Sequence, residues 1–286
     1  MARKGHPEGR KHAVGRSVRE YARGLIGGLL FSLPLLYTME VWWAGFIARP
    51  AQLLIYFLVG FLLLFGYNRF AGLREDASWL EVAFEAVEEM GLGLLVSMLM
   101  LWLLGQIDGD LTWSEVTGKV VVEAVTVAIG ISVGSSQLGH QGDEPGGMEG
   151  ENSGKVPGLS SQLVLGACGA VLFASNVAPT EEVLVIAIES SPWRLLLLAL
   201  LSLALGGLIL FYSDFHDSER LQPDRGPQTV VSRTVISYAI ALVSSAFILW
   251  FFGRFDGASP AACLAQTVVL GVAGSLGSSA GRLLLQ

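Results

Sequence analysis

LLFSLPLLYTMEV, residues 29–41, is an apolar stretch that the chain contains twice in related form. At an offset of 142 residues, positions 171–183 read VLFASNVAPTEEV. Both copies contain T-x-E-V, and in both a proline follows the Glu by ten residues. Over positions 29–64, ten of 36 residues are identical. The pattern predicts an internal duplication that places one ionisable carboxyl, Glu40 or Glu182, within an apolar segment of each half.

The composition excludes an ordinary soluble domain. The 286 residues are 52% hydrophobic and 15% charged, whereas soluble domains carry about 25% charged residues. Apolar runs of 18 or more residues recur, and each is long enough to cross a hydrocarbon core of about 30 Å as a helix. Only helices and closed barrels satisfy their backbone in lipid, and these runs are too long for barrel strands. We therefore expect an all-α polytopic membrane protein whose first partner is the lipid bilayer.

Eight transmembrane spans are predicted, and they divide into two sets of four. The predicted spans are 22–48, 51–67, 80–106, 113–138, 160–190, 193–213, 229–253 and 259–281. The fourth and eighth are rich in Gly, Ser and Ala, so tilted, broken or re-entrant forms stay open for them. The corresponding domains are a basic cytoplasmic tail (1–21), a first four-helix repeat (22–138), a flexible linker (139–158) and a second four-helix repeat (159–286).

Two further matches extend the repeat beyond the opening stretch. W-x-x-G-x-x-D-G occurs at 102–109 and 250–257, and S-x-G-S-S occurs at 132–136 and 275–279. With four spans in each half, both halves enter the membrane from the same side. The sequence therefore predicts a 4+4 tandem repeat related by a pseudo-two-fold axis along the membrane normal.

The distribution of Lys and Arg predicts the orientation. With eight spans, 14 of the 18 basic residues fall on the side of the N-terminal tail and four on the other. Because basic residues favour the cytoplasmic side, both termini are expected in the cytoplasm. The basic tail is expected to contact lipid head groups and to bind no nucleic acid.

The repeated carboxyls are the first candidates for function. A charge at membrane depth costs about 2.5–3.5 kcal/mol on insertion scales, so such residues usually face a bundle interior and serve a function. Glu40 and Glu182 would form a paired site for a proton or cation, with Thr38 and Thr180 as hydroxyl partners and with backbone carbonyls freed by nearby prolines as ligands. Glu181 would add asymmetry. The alternative is that the carboxyls only fix helix packing.

A second acidic group lies at the start of the third span. Glu81, Glu85 and Glu88 follow i, i+4, i+7 spacing and share one helix face, and Glu89 follows directly. They would form a cytoplasmic acidic path into the bundle, or else the solvated face of an approach helix.

The fourth span carries Glu123 one turn after Lys119, and an internal ion pair is the expected explanation. Gln266 occupies the matching place in the second half. The spacings Gly130-x-x-x-Gly134 and Gly277-x-x-x-Gly281 predict close helix approach.

No catalytic motif is found, and neither a metal site nor a cofactor site is predicted. The sequence contains no G-x-S-x-G, H-E-x-x-H, Walker or C-x-x-C pattern. The two cysteines, Cys168 and Cys263, lie in apolar spans and are expected to pack as small hydrophobes. We therefore expect no enzyme, and the oligomeric state stays open.

The motifs SLPLLYTMEV at 32–41 and APTEEV at 178–183, together with the span pattern, resemble a family of bacterial integral membrane proteins without an assigned function. The resemblance implies a bacterial inner membrane protein and supplies no catalytic residues. Two hypotheses follow: a cation or proton transporter or channel that uses Glu40 and Glu182, or a non-transporting scaffold or sensor subunit.

Overall fold

The computed structural model describes residues 7–71, 78–139, 159–216 and 227–283, and regular structure within these ranges is α-helical throughout. Nearly all of the predicted linker and most of the loop after the sixth predicted span lie outside the described residues. The described ranges contain ten helices: α1 Pro7–Leu36, α2 Met39–Ile47, α3 Pro50–Ala71, α4 Trp79–Leu103, α5 Trp113–Gly139, α6 Leu159–Ser175, α7 Glu182–Glu189, α8 Pro192–His216, α9 Pro227–Phe251 and α10 Pro260–Leu283.

Six of the predicted spans each form one helix, namely α3, α4, α5, α8, α9 and α10. Four of these six begin at a proline. Proline suits the first helical position because a backbone N–H at that position would have no partner within the helix, so its absence costs nothing. Helix α4 begins instead with a capping box between Ser78 and Glu81. Helix α1 begins at Pro7, so much of the predicted tail is helical.

The breaks occur in the first and fifth predicted spans rather than in the fourth and eighth. Helices α1 and α2 are bent by 84° relative to each other, and residues 176–181 separate α6 from α7. Pro34 has no N–H to donate to the carbonyl four residues earlier, which weakens the end of α1. The Gly- and Ser-rich spans form the continuous helices α5 and α10, because their small residues serve helix contacts.

Helix α5 lies at the centre of the described structure and packs against α1, α2, α3, α4 and α6. In its apolar stretch 83% of the residues are buried, compared with 17% in α8, whose leucines face outward. Helix α10 packs correspondingly against α6, α7, α8 and α9.

Within the described ranges, six helices are long and apolar enough to cross a membrane. The bent pair α1–α2 would be a seventh span, and α6, with 17 residues, is a shorter apolar helix.

Glycine contacts join α1 to α5 and α6 to α10. A Cβ on Gly27 would lie 2.4 Å from Gly134 Cα, and a Cβ on Gly169 would lie 2.1 Å from the Gly277 carbonyl oxygen. Gly27 and Gly169 are 142 residues apart, and Gly134 and Gly277 are 143 apart. The close approach predicted from the glycine spacings is confirmed, and it occurs at positions that match in the predicted repeat.

Aromatic stacking and a hydrogen bond connect residues before the linker with residues after it. The rings of Tyr56 (α3) and Phe251 (α9) stack with centroids 4.0 Å apart. The Asn176 amide, just after α6, donates to the Phe31 carbonyl of α1 at 3.0 Å.

Candidate functional site

The two repeated carboxyls occupy equivalent positions in the helices but different environments. Glu40 lies in the first turn of α2 and is half-buried, whereas Glu182 is the first residue of α7 and is exposed. Glu181 is also exposed. Helix α2 packs against α5, and α7 packs against α10. The paired site built from these residues therefore stays a prediction.

The predicted hydroxyl partners bind backbone carbonyls near the breaks. Thr38 Oγ1 donates to the Pro34 carbonyl at 2.6 Å, and Thr180 Oγ1 donates to the Val177 carbonyl at 2.8 Å. Trp42 Nε1 donates to the Leu36 carbonyl at 3.1 Å. Carbonyls that helix ends leave without intrahelical partners need such donors. The three carbonyls therefore have donors within the protein.

The break between α6 and α7 is held in a similar way. The Asn176 amide also donates to the Leu172 carbonyl at 2.6 Å, and Arg254 Nη2 donates to the Pro179 carbonyl. Both contacts fix backbone around the segment between α6 and α7.

The acidic residues of α4 separate into an outer group and one buried member. Glu81 and Glu88 are exposed, and Glu85 is half-buried. The Glu81 carboxylate accepts from the Ser78 backbone N–H in the capping box, and Glu88 accepts from the Tyr21 hydroxyl. Glu89 belongs to the buried face of α4.

Glu89 is part of a hydrogen-bonded network between α3, α4 and α5. Its side chain is 7% exposed and accepts from the Asn68 amide at 2.6 Å. The Asn68 carbonyl oxygen accepts in turn from the Ser132 hydroxyl. Nearby on the same helices, the Tyr67 and Ser136 hydroxyls bond at 2.8 Å. Asn68 was not among the residues predicted from the sequence. An amide side chain at the end of an apolar run is the signal that could have identified it as a buried polar residue.

Glu123 is buried without a partner, and the predicted ion pair with Lys119 is wrong. Lys119 Nζ donates to the Gln106 carbonyl at 2.7 Å and lies 4.6 Å from the centre of the Phe46 ring. The long lysine side chain extends toward the N-terminal end of α5, where its ammonium group reaches the loop before the helix, as such side chains do near a polar boundary. Glu123 is 1% exposed, and both its carboxyl oxygens lack a hydrogen-bond partner.

Contacts on either side of Glu123 place it beside the α1–α2 break. One turn earlier, the Lys119 backbone N–H lies 2.6 Å from where a Gly45 Cβ would be on α2. One turn later, the Val127 carbonyl lies 3.1 Å from the corresponding point at Gly28 on α1. Because residues one turn apart share a helix face, Glu123 faces the junction of α1 and α2.

Further buried polar groups lie on α3, on α5 and just after α6. Tyr56 is fully buried, and Thr126 is the side chain beside its hydroxyl. Thr126 Oγ1 lies 3.5 Å from Ser175 Oγ. Asn176 follows directly, and its amide oxygen is also buried without a partner.

Gln266 in α10 corresponds to Glu123 and is fully buried. Its amide nitrogen donates to the Arg254 carbonyl at 3.3 Å, whereas its amide oxygen has no partner. At the place that matches in the predicted repeat, α10 therefore has a neutral side chain where α5 has an acid.

The long apolar helices and the polar side chains buried among them define a multi-pass helical integral membrane protein. Residues 20–285 match the family described as "Putative integral membrane protein (DUF2391)", and the chain belongs to that family. This confirms the resemblance of the repeated motifs. Searches of the curated proteins and of the solved structures found no match.

Proposed function

We propose that this protein carries protons or small cations across the bilayer and that Glu123 is the residue that binds them. The observation that supports this most strongly is the environment of the Glu123 carboxyl group. It lies in α5, the most buried of the long helices, and neither of its oxygens has a hydrogen-bond partner. Buried polar groups are nearly always hydrogen-bonded, so each exception requires an explanation. A bound proton or cation supplies one.

The cost of this arrangement argues for a function. An ionised carboxylate without a partner is strongly destabilised in an apolar interior, and such groups take up a proton instead. In membrane proteins, carboxyls that face a bundle interior mark ion and proton pathways. Glu123 combines this cost with a position beside a broken helix, where backbone movement is easiest.

The 4+4 tandem repeat is part of the proposal. It is supported by the matching glycine contacts of α1 with α5 and α6 with α10, and by a short helix after the first long helix of each half. Six long spans, the α1–α2 pair and α6 would together give eight crossings. Both termini would then lie in the cytoplasm of a cell with this protein in its inner membrane, in keeping with the basic residues.

Glu40 and Glu182 keep a place in the proposal as the second candidate site. Both lie in the first turn of a short helix that follows a break, so either would meet an ion before the ion reaches the interior. Glu40 is the stronger of the two because it is half-buried and because α2 packs against α5. Neither a catalytic step nor a cofactor is part of the proposed function.

A non-transporting scaffold or sensor subunit is the alternative function. It is favoured by the Glu89 network, whose carboxyl accepts a hydrogen bond and joins three helices, and by the internal donors to the break carbonyls. On this view the buried acids lock helices together.

Flux measurements in proteoliposomes test the proposal. We expect a pH gradient or a gradient of Na⁺ or K⁺ to drive flux in wild type, and Glu123→Gln to reduce it at least tenfold because the amide cannot exchange a proton. Glu189→Gln is the matched control, since it makes the same change at an exposed position. The double variant Glu40→Gln/Glu182→Gln measures the second candidate site.

Full flux in folded Glu123→Gln protein would exclude Glu123 as the binding residue. Absence of flux in wild type under every gradient, with Glu123→Gln destabilised, would favour the scaffold.

A further inference from the structure

We propose that the N-terminal end of α5 contains a binding site for a primary ammonium ion and that the side chain of Lys119 occupies this site from within the chain. The site consists of the Gln106 carbonyl oxygen, in the loop before α5, and the ring of Phe46 on α2. We call it the ammonium site. Its role on the way to Glu123 rests on the proposed function, whereas its ligand can be tested without any flux.

The contacts of the Lys119 ammonium group define the site. Nζ donates to the Gln106 carbonyl at 2.7 Å and lies 4.6 Å from the centre of the Phe46 ring. The side chain as a whole is 5% exposed. A buried charge is destabilising unless its hydrogen bonds and its charge are compensated. The carbonyl accepts a hydrogen bond and the ring face attracts the positive charge, so two separate parts of the chain compensate one cation.

The chemistry of these two groups selects the kind of cation. A carbonyl oxygen and an aromatic face are both uncharged, whereas divalent ions such as Ca²⁺ take six or more oxygen ligands, carboxylates among them. Cation–π attraction suits an ammonium group, and an ammonium also carries three N–H donors. The ligand class is therefore a small primary ammonium ion, and the lysine side chain is its tethered form.

The predicted repeat supplies an internal comparison. The Gln106 carbonyl matches the Arg254 carbonyl, which accepts from the Gln266 amide of α10. Gln266 in turn matches Glu123. In α10 a neutral amide therefore holds the preceding loop. In α5 the ammonium of Lys119 holds the loop instead, so Glu123 is released from this structural role.

The ammonium site lies between the α4–α5 loop and Glu123. Helix α5 begins at Trp113, so at a rise of 1.5 Å per residue Lys119 lies about 9 Å and Glu123 about 15 Å along the helix. The two residues are one turn apart and share the face that packs against α1 and α2. A cation that approaches Glu123 along this face from the loop meets the tethered ammonium first. We therefore expect Lys119 to restrict access from this end.

Chemical rescue tests the ligand. Lys119→Ala removes every atom beyond Cβ, and n-propylammonium has the size and charge of the missing part. We expect the full-length variant in detergent to unfold at a lower temperature than wild type, and saturating propylammonium to raise its Tm by about 2 °C or more. Wild type should show no such rise, because its site is occupied. Neither 1-propanol, which lacks the charge, nor tetramethylammonium, which lacks N–H donors, should restore the Tm.

A second variant keeps the test decisive if Lys119→Ala does not fold. Lys119→Met fills a similar volume without the charge, so its Tm should fall below that of wild type and should not respond to propylammonium. A Tm of Lys119→Met equal to that of wild type would overturn the proposal. So would equal responses of Lys119→Ala to propylammonium and to 1-propanol.

Flux in proteoliposomes separates this inference from the proposed function. Where Glu123 binds the transported ion, Lys119→Ala should increase cation flux, and propylammonium should reduce it again. A Tm response without flux supports the ammonium site and counts against the proposed function. Flux that propylammonium leaves unchanged, with no Tm response, counts against the ammonium site instead.

Discussion

Two buried glutamates in neighbouring helices illustrate how the environment of a residue decides its role. Glu89 accepts a hydrogen bond from Asn68, which is bound to Ser132, so its burial is compensated locally. Glu123 has the same chemistry and no such partner. A buried carboxyl with hydrogen-bond partners stabilises the packing of its helices. A buried carboxyl without partners destabilises the fold unless a bound ligand supplies the missing interaction. The first therefore suits a structural role and the second a binding role.

The Glu89 network gives a prediction for stability. Asn68→Leu introduces the residue found 142 positions later in the second half, Leu210, and leaves Glu89 without its amide donor. We expect the free energy of unfolding to fall by about 1–3 kcal/mol, the usual cost of a buried polar group left unpaired. Thermal unfolding in detergent measures this as a lower Tm.

The double variant Asn68→Leu/Glu89→Leu provides the control. Removing both polar groups together should recover part of the loss, because no carboxyl is then left unpaired. A Tm of Asn68→Leu equal to that of wild type would contradict the structural role of the network.

The sequence predicted that buried carboxyls matter, but it could not tell which of them are enclosed. The duplicated T-x-E-V motif drew attention to Glu40 and Glu182, and the structure places Glu182 at the surface. Glu123 was interpreted as half of an ion pair because Lys119 stands at i−4. The lysine instead follows its flexible stem to the Gln106 carbonyl, and that carbonyl belongs to a loop whose position depends on tertiary packing.

At the level of helices, the breaks and the close contacts are made by different residue types. Pro34 ends α1 early, and residues 176–181, which include Pro179, separate α6 from α7. Glycines instead let α1 approach α5 and let α6 approach α10. Both residue types were visible in the sequence. Composition suggested that the Gly- and Ser-rich spans were the weak ones, because it does not reveal which glycines face another helix.

The contact of α1 with α5 gives a prediction of its own. Gly27→Ala would place a Cβ 2.4 Å from Gly134 Cα, so the two helices must separate. We expect a loss of about 1–3 kcal/mol in the free energy of unfolding, which is typical of overpacking. The measurement is again thermal unfolding in detergent.

Gly91→Ala is the matched control for this prediction, because the added Cβ meets no atom within 4 Å in the middle of α4. It should leave the Tm unchanged or raise it, since alanine favours the helix more than glycine does. Equal Tm values for the Gly27→Ala and Gly91→Ala variants would argue against close packing of α1 on α5.

For the whole molecule, the proposed duplication would combine a repeated framework with buried carboxyls confined to one half. The glycine contacts recur at matching positions, whereas Glu89 and Glu123 correspond to Ser237 and Gln266. The multi-pass helical class followed directly from the apolar runs, because lipid leaves few ways to satisfy a backbone. The location of the polar interior did not follow, because it depends on how α3, α5 and α6 meet.

The proposed topology gives a prediction at this scale. If the chain crosses the membrane eight times, tags at the N-terminus and at the C-terminus should both be protected from protease in intact spheroplasts and both be cleaved in inverted vesicles. An uneven number of crossings would separate the two tags, and opposite accessibility would contradict the 4+4 arrangement.

The central claim is that Glu123 binds a proton, and infrared difference spectroscopy of the protein in lipid tests it most directly. The account predicts a carbonyl stretch of a protonated carboxyl at neutral pH in wild type that disappears in Glu123→Gln and persists in Glu189→Gln. Identical carboxyl bands in wild type and folded Glu123→Gln would contradict it.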